Sequence, residues 1–301
     1  MTIRLGYACI NETLKPGLTC NRGMKKKTFN EKGIEYAAEL ALKNCKDIIP
    51  IMKWNAENDI FVWRLSSEIF PWMSEYEFDE LPNINEIRNV LKEVGELSLK
   101  LGVRLSFHPG PFNVLASNRD SVVAKTVKEL NKHSEIFNMM GFEPSHENKI
   151  NIHIRATYGG DFSGTGERFI KNFDLLEEHT KKRLTLENDD KPNQWSVVDL
   201  MPIHKTTGVP IVFDYHHHRF CTGGLSEQEA LELAISTWPD EITPVVHYSE
   251  SCTLLKANGK PRMPSAHSQF IEGPIDNYGH TIDCVIEAKM KEQTLLRYRG
   301  D

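Results

Sequence analysis

The chain has 301 residues, 40% of them hydrophobic and 26% charged, with a net charge of −6. That balance suits a sizeable core under a soluble surface, and it argues against a protein that coats nucleic acid indiscriminately. No apolar run approaches the roughly 18 residues that span a membrane, and the first residues lack the apolar core of a secretion signal. Six cysteines without a C-x-x-C pair signal neither a zinc ribbon nor a disulfide framework. The expectation is a reduced, soluble, monomeric intracellular protein, cytoplasmic or, in a eukaryote, nuclear.

In chain order, short apolar runs alternate with segments of helical period. Residues 3–7 (Ile-Arg-Leu-Gly-Tyr) read as a strand. A helix over about 30–58 carries Ile34, Ala37, Ala38, Ala41, Ile48, Ile51 and Met52 on one face. Residues 61–65 form the second strand and 85–101 the next helix, with Gly102 as its stop signal. A third strand, 104–107, precedes a helix over about 119–140. Five more strands are expected at 150–153, 183–187, 210–214, 244–247 and 284–287, with 251–283 as long loops. Eight such units, with no low-complexity linker, predict one (β/α)8 TIM barrel over residues 1–301.

The strand exits share a chemistry. The third strand runs into His108, the fourth ends in His153, the fifth in Glu187 and the sixth in Asp214. The seventh contains His247 and the eighth ends in Glu287. In a parallel barrel these ends lie on one rim, where such folds build their active sites. A lone histidine there is more often a hydrogen-bonded core residue, but six together point to bound metal. Imidazole nitrogen with carboxylate oxygen suits zinc, manganese or iron, and the lack of thiolate argues against structural zinc. Paired divalent cations serve in-line displacement at phosphorus, so phosphodiester hydrolysis is the natural reaction, with Glu187, Asp214 and Glu287 as the catalytic carboxylates. A sugar isomerase or epimerase on the same barrel is the alternative. A binding module with weak hydrolysis is a third reading.

Several stretches carry a resemblance that runs from the first strand to the last. They include Arg4 to Cys9, Thr19 to Arg22, Arg64 to Pro71, Phe107 to Gly110, Leu186 to Asp189, Phe213 to His218, Val246 to Ser249 and Glu287 to Glu292. Together they resemble the UV damage endonuclease family, an endonuclease IV-like branch of barrel enzymes. The resemblance implies a manganese-dependent DNA repair endonuclease, with zinc as the other candidate ion. Such an enzyme nicks damaged double-stranded DNA 5′ to pyrimidine dimers, and its lesions could include abasic sites. It also implies one ion on His108, His153 and Glu187, and a second on Glu187, Asp214, His247 and Glu287. A third would use His217 and His267.

Two positions depart from the family pattern. Val245 stands where members commonly have Lys, so the third ion lacks that ligand. Pro111 and Phe112 follow His-Pro-Gly where Gln and an aromatic are usual. Phe112 can still stack on bases, worth roughly 1–3 kcal/mol per base, whereas Pro111 offers no amide. The expected DNA contacts are Tyr7, Asn11, Arg22, Pro111, Phe112, His218 and Lys289.

The remaining residues carry blander readings. His216, His217 and His218 alternate around the chain, so His217 is expected to face the metals and His218 to contact phosphate, with His216 set aside. His133, His146, His179, His204 and His280 are expected in solvent. Residues 70–78 hold Phe70, Trp72, Tyr76 and Phe78, which either stack on flipped bases or pack over the rim. Arg22 with Lys25, Lys26 and Lys27 is the best basic patch.

Overall fold

A computed structural model describes residues 2–256 and 259–300. Its strands are β1 (Ile3–Ala8), β2 (Val62–Arg64), β3 (Arg104–Ser106), β4 (Ile150–Ile152), β5 (Leu184–Glu187), β6 (Ile211–Asp214), β7 (Val245–Tyr248) and β8 (Ile282–Ile286). The larger helices are α1 (Lys26–Glu57), α2 (Ile84–Leu101), α3 (Asp120–Met139), α4 (Phe162–Phe173), α6 (Val197–Thr207), α8 (Glu227–Ile235) and α9 (Lys291–Arg299). Two single turns, α5 (Glu178–Lys181) and α7 (Tyr215–His218), complete the order. All neighbouring strands are parallel, in the order β3-β2-β1-β8-β7-β6-β5-β4. A bridge between Phe107 and Ile150 joins the two ends of that row. The fold is the expected (β/α)8 barrel.

Strands this short form because both faces are covered. Outward side chains such as Leu105, Leu186 and Phe213 join the main apolar cluster under the helices. Inward side chains form a second, smaller cluster of Ala8, Val62, Val212, Val245 and Val285. Gly6 belongs to the inward row of β1, and a Cβ there would sit 2.0 Å from the carbonyl oxygen of Val62. Only glycine permits that approach of β1 to β2. Below the valines, Asp283 of β8 accepts from the part-exposed Arg4 and the buried Arg104 at 2.7 and 2.8 Å, a charge pairing that closes the barrel floor.

The helix boundaries differ most at the start of α1, which begins at Lys26 rather than near residue 30. Gly33, at φ 70°, takes a non-helical conformation there and kinks the helix. Gly102 caps α2 in the left-handed conformation, as its position predicts. His133 was expected in solvent; instead it is fully buried on α3, edge-on to Phe107, with Nδ1 2.8 Å from the Glu129 carbonyl. Among the described residues no helix is long and apolar enough to cross a membrane.

Candidate metal centre

Strand register brings the polar ends together. Asp214 pairs with His247 across β6 and β7, and residues two apart on each strand share the inward face. At the centre stands Glu187, fully buried. Its carboxylate lies 3.2 Å from His108 Nε2, 3.7 Å from His153 Nε2, 3.3 Å from His217 Nδ1 and 3.1 Å from His247 Nδ1. His247 Nδ1 also lies 3.3 Å from Glu287. Three sets of ligand atoms gather within 4.8 Å of one another: His108, Glu187 and His247; His153, Glu187 and His217; and Asp214, His247 and Glu287. This grouping differs from the one the resemblance implies. His153 and His217 share a set, and His247 stands in two. His267 lies further out, its Nε2 3.9 Å from Glu287 and its Nδ1 2.7 Å from the Ser249 hydroxyl.

A local turn explains the histidine triplet. Asp214 caps the single turn α7 by accepting from the His217 N–H at 2.8 Å. Three imidazoles on one helical turn fan apart by about 100° each. His217 points at Glu187. His216 is buried with Nε2 3.1 Å from the Ser265 carbonyl, and His218 packs against Phe213.

The electrostatics fit a cation-binding cavity. Burial alone would push the Glu187 carboxyl up, but His247 and His153, with His108 and His217 beside them, hold it well below the usual carboxylate range. Burial pushes His108 down to about 3, keeping the neutral ring a metal needs. Burial also raises Asp214 to about 7, reinforced by Glu187 and Glu287. Glu187 Oε1, Asp214 Oδ2, His108 Nδ1 and both nitrogens of His247 are buried without a hydrogen-bond partner. Unpaired polar atoms in so dry a place are costly, and a shared divalent cation is the partner that satisfies nitrogen and carboxylate oxygen alike.

Several neighbours support this cluster although no strand-end pattern flagged their roles. Arg64 of β2 is ion-paired to Glu287. Asn151, two residues before His153, donates to Glu187, and Asp189 lies 3.2 Å from His153 Nδ1. Asn188 receives and returns backbone hydrogen bonds with Asp214 at 2.8 and 3.0 Å. Lys149 is fully buried on the same inward row as Asn151, and its ammonium nitrogen has no hydrogen-bond partner. The period-two row 149, 151, 153 was the available signal.

The expected DNA contacts separate into two groups. Tyr7 and Asn11 are fully buried and bonded to each other, with Tyr7 also on Asn55, so neither presents a surface to a duplex. His218 is likewise buried. Arg22 spends its guanidinium on Asp47 at 2.7 Å and on the Thr19 carbonyl. Pro111, Phe112 and Lys289 are exposed, Phe112 to 88%. Phe112 borders a cleft of about 1070 Å³, lined also by Phe70, Trp72, Tyr158, Arg119 and Arg155.

A parallel barrel whose rim converges four imidazoles and three carboxylates carries the candidate ligand sets of a metal site at the face where such barrels build their active sites. Comparison with known proteins narrows this. Residues 3–300 match the family described as UV-endonuclease UvdE, and the chain belongs to that family. It is 34% identical to the UV-damage endonuclease of Schizosaccharomyces pombe over 97% of this chain and 49% of that protein, so it spans about half of that relative's length. It is 28% identical to the UV DNA damage endonuclease of Clostridium perfringens, over 98% of this chain and 69% of that one. The crystal structure of SacUVDE superposes with a TM-score of 0.85 at 30% identity, covering 99% of this chain and 96% of that one. A 3-keto-D-glucoside 4-epimerase from E. coli shares the fold, with a TM-score of 0.57 at 13% identity over 99% and 97% of the two chains.

Proposed function

We propose that this chain is a DNA repair endonuclease that hydrolyses the phosphodiester 5′ to UV photoproducts in double-stranded DNA, using two or three divalent cations. The observation that carries this is Glu187, a buried carboxylate facing four imidazoles, with unpaired ligand atoms around it. Family membership supplies the reaction class. Manganese fits the mixed nitrogen and oxygen donors, and zinc is the other candidate.

His108, Glu187 and His247 would hold one ion, His153, Glu187 and His217 another, and Asp214, His247 and Glu287 a third. Bound there, divalent cations supply charge stabilisation at a phosphoryl group and a water of lowered pKa. The chain's own residues prepare the place. Arg64 fixes the Glu287 carboxylate, and Asn151 fixes that of Glu187. Asp214 at the cap of α7 holds the turn that aims His217 inward. Neutral imidazoles at His108 and His247, enforced by burial, keep ligand nitrogens unprotonated near neutral pH.

Recognition falls to the exposed rim. Phe112 stacks on bases, and Pro111 stiffens the loop that presents it. The neighbouring aromatic cleft, with Arg119 and Arg155 at its edge, accommodates bases displaced at a lesion. Lys289 meets the phosphate backbone. The test is a nicking assay with the purified chain and manganese, on UV-irradiated and untreated plasmid. The irradiated plasmid should be cut far faster, with the break mapping 5′ to the dimer. Equal rates on both, or no dependence on added metal after chelation, would overturn the proposal.

A further inference from the structure

The connection from β7 to β8 carries chemistry that the metal centre leaves unused. Ser251 bridges His267 in antiparallel fashion, and the Cys252 N–H donates to the Ala266 carbonyl at 2.7 Å. Further out, the Lys256 N–H donates to the Lys260 carbonyl at 2.8 Å. These bonds make the described residues a hairpin that stands on the rim. Its foot is His267, beside Glu287 of the metal centre.

Two features of the hairpin point to a ligand. Leu254, Leu255 and Met263 are 51%, 59% and 67% exposed. One such side chain is ordinary, but three on one arm form an exposed apolar set without a partner among the described residues. Alongside them are Lys256, Lys260 and Arg262, and no Asp or Glu occurs between residues 251 and 267. A chain of net charge −6 thus concentrates cations of one sign beside its catalytic rim. Apolar side chains flanked by cations suit a nucleic acid groove bordered by phosphates. In the strand order, β3 and β7 stand four places apart, on opposite sides of the barrel. The hairpin and the Phe112 loop therefore face each other across the metal centre.

We infer that the 251–267 hairpin is a second DNA-holding arm. Lys256 and Arg262 lie on backbone phosphates, and Leu254, Leu255 and Met263 press on the groove wall. A duplex across the rim is then gripped on both sides of the bond to be cut. The inference rests on the endonuclease reading and extends it to how the substrate is held.

The experiment compares the parent chain with K256A/R262A and with L254S/L255S/M263S on a 30-base-pair duplex, with and without a single dimer, across a salt series. All five side chains are exposed, so unchanged melting temperatures verify folding. The charge variant should weaken binding to both duplexes by a similar factor and flatten the salt dependence by about 1.8 in log–log slope, about 0.9 per phosphate contact. The apolar variant should weaken binding with the slope preserved. Parent-like affinity and slope in both variants overturn the arm. So does loss of binding to phosphatidylserine vesicles with duplex binding intact, which would assign the hairpin to a membrane surface. Failure of the parent chain itself to nick irradiated DNA would instead overturn the endonuclease reading.

Discussion

Lys149 offers a quantitative test of how the barrel interior is charged. It enters β4 on the inward face, fully buried, with no hydrogen bond to its ammonium. Burial pushes it from 10.5 down to about 7, although Glu187 and Glu287 pull the other way. The unfolded chain keeps the ordinary value, so between about pH 7 and 10.5 the unfolded state binds more protons. Stability therefore rises with pH across that window, and below pH 7 the penalty of charging a buried amine is complete. The gap between 10.5 and about 7 corresponds to about 5 kcal/mol at pH 6, shrinking to about 1.5 kcal/mol at pH 9.5. Lys149→Met keeps the length and removes the charge. Urea denaturation of both proteins in EDTA should find the variant more stable at pH 6, by up to that amount, with the gap closing as pH rises. A variant less stable than the parent at pH 6, or an advantage independent of pH, would refute the reasoning.

Four further substitutions address the site and its frame. Glu187→Gln removes the charge shared by two ligand sets; metal content by mass spectrometry should fall, and nicking should drop at least about 100-fold, while duplex binding persists. Asp189→Asn loosens His153 and should weaken metal affinity by about 10–100-fold in a competition titration with a chelating dye. Phe112→Ala should cost about 1–3 kcal/mol of damaged-duplex affinity, read by fluorescence anisotropy, with stability changed by less than about 0.5 kcal/mol. Gly6→Ala drives a methyl group into the Val62 carbonyl, and calorimetry should show a loss of at least about 1–3 kcal/mol.

The strand ends were legible because a parallel barrel repeats one grammar: an apolar run, then a polar residue where the strand leaves the core. Glu187, Asp214 and His247 are read that way without coordinates. The sequence picked His217 from the triplet by alternation, whereas the geometry is a helical turn capped by Asp214, which local sequence did not announce. Partnerships between distant elements were not legible. Nothing local to Arg64 says that it crosses to Glu287, and nothing local to Tyr7 says that Asn55 of α1 will bury its hydroxyl. Arg22 sits in a basic stretch whose sequence hides Asp47, in direct contact in space but 25 positions along the chain. The pairing of ligands into sets likewise depends on barrel tilt, which sequence spacing does not encode.

The seam between β1 and β8 has a practical consequence. Thr2 accepts from Ile282 at 3.1 Å, and Arg299 of α9 donates to the carbonyls of Asn58 and Asp59, just before β2. Both ends of the described chain therefore emerge at the floor of the barrel, on the pole opposite the candidate metal centre. A fluorophore, affinity tag or surface tether attached at either end leaves the rim unobstructed. Single molecules can thus be immobilised floor-down, with the candidate metal centre presented to the solution.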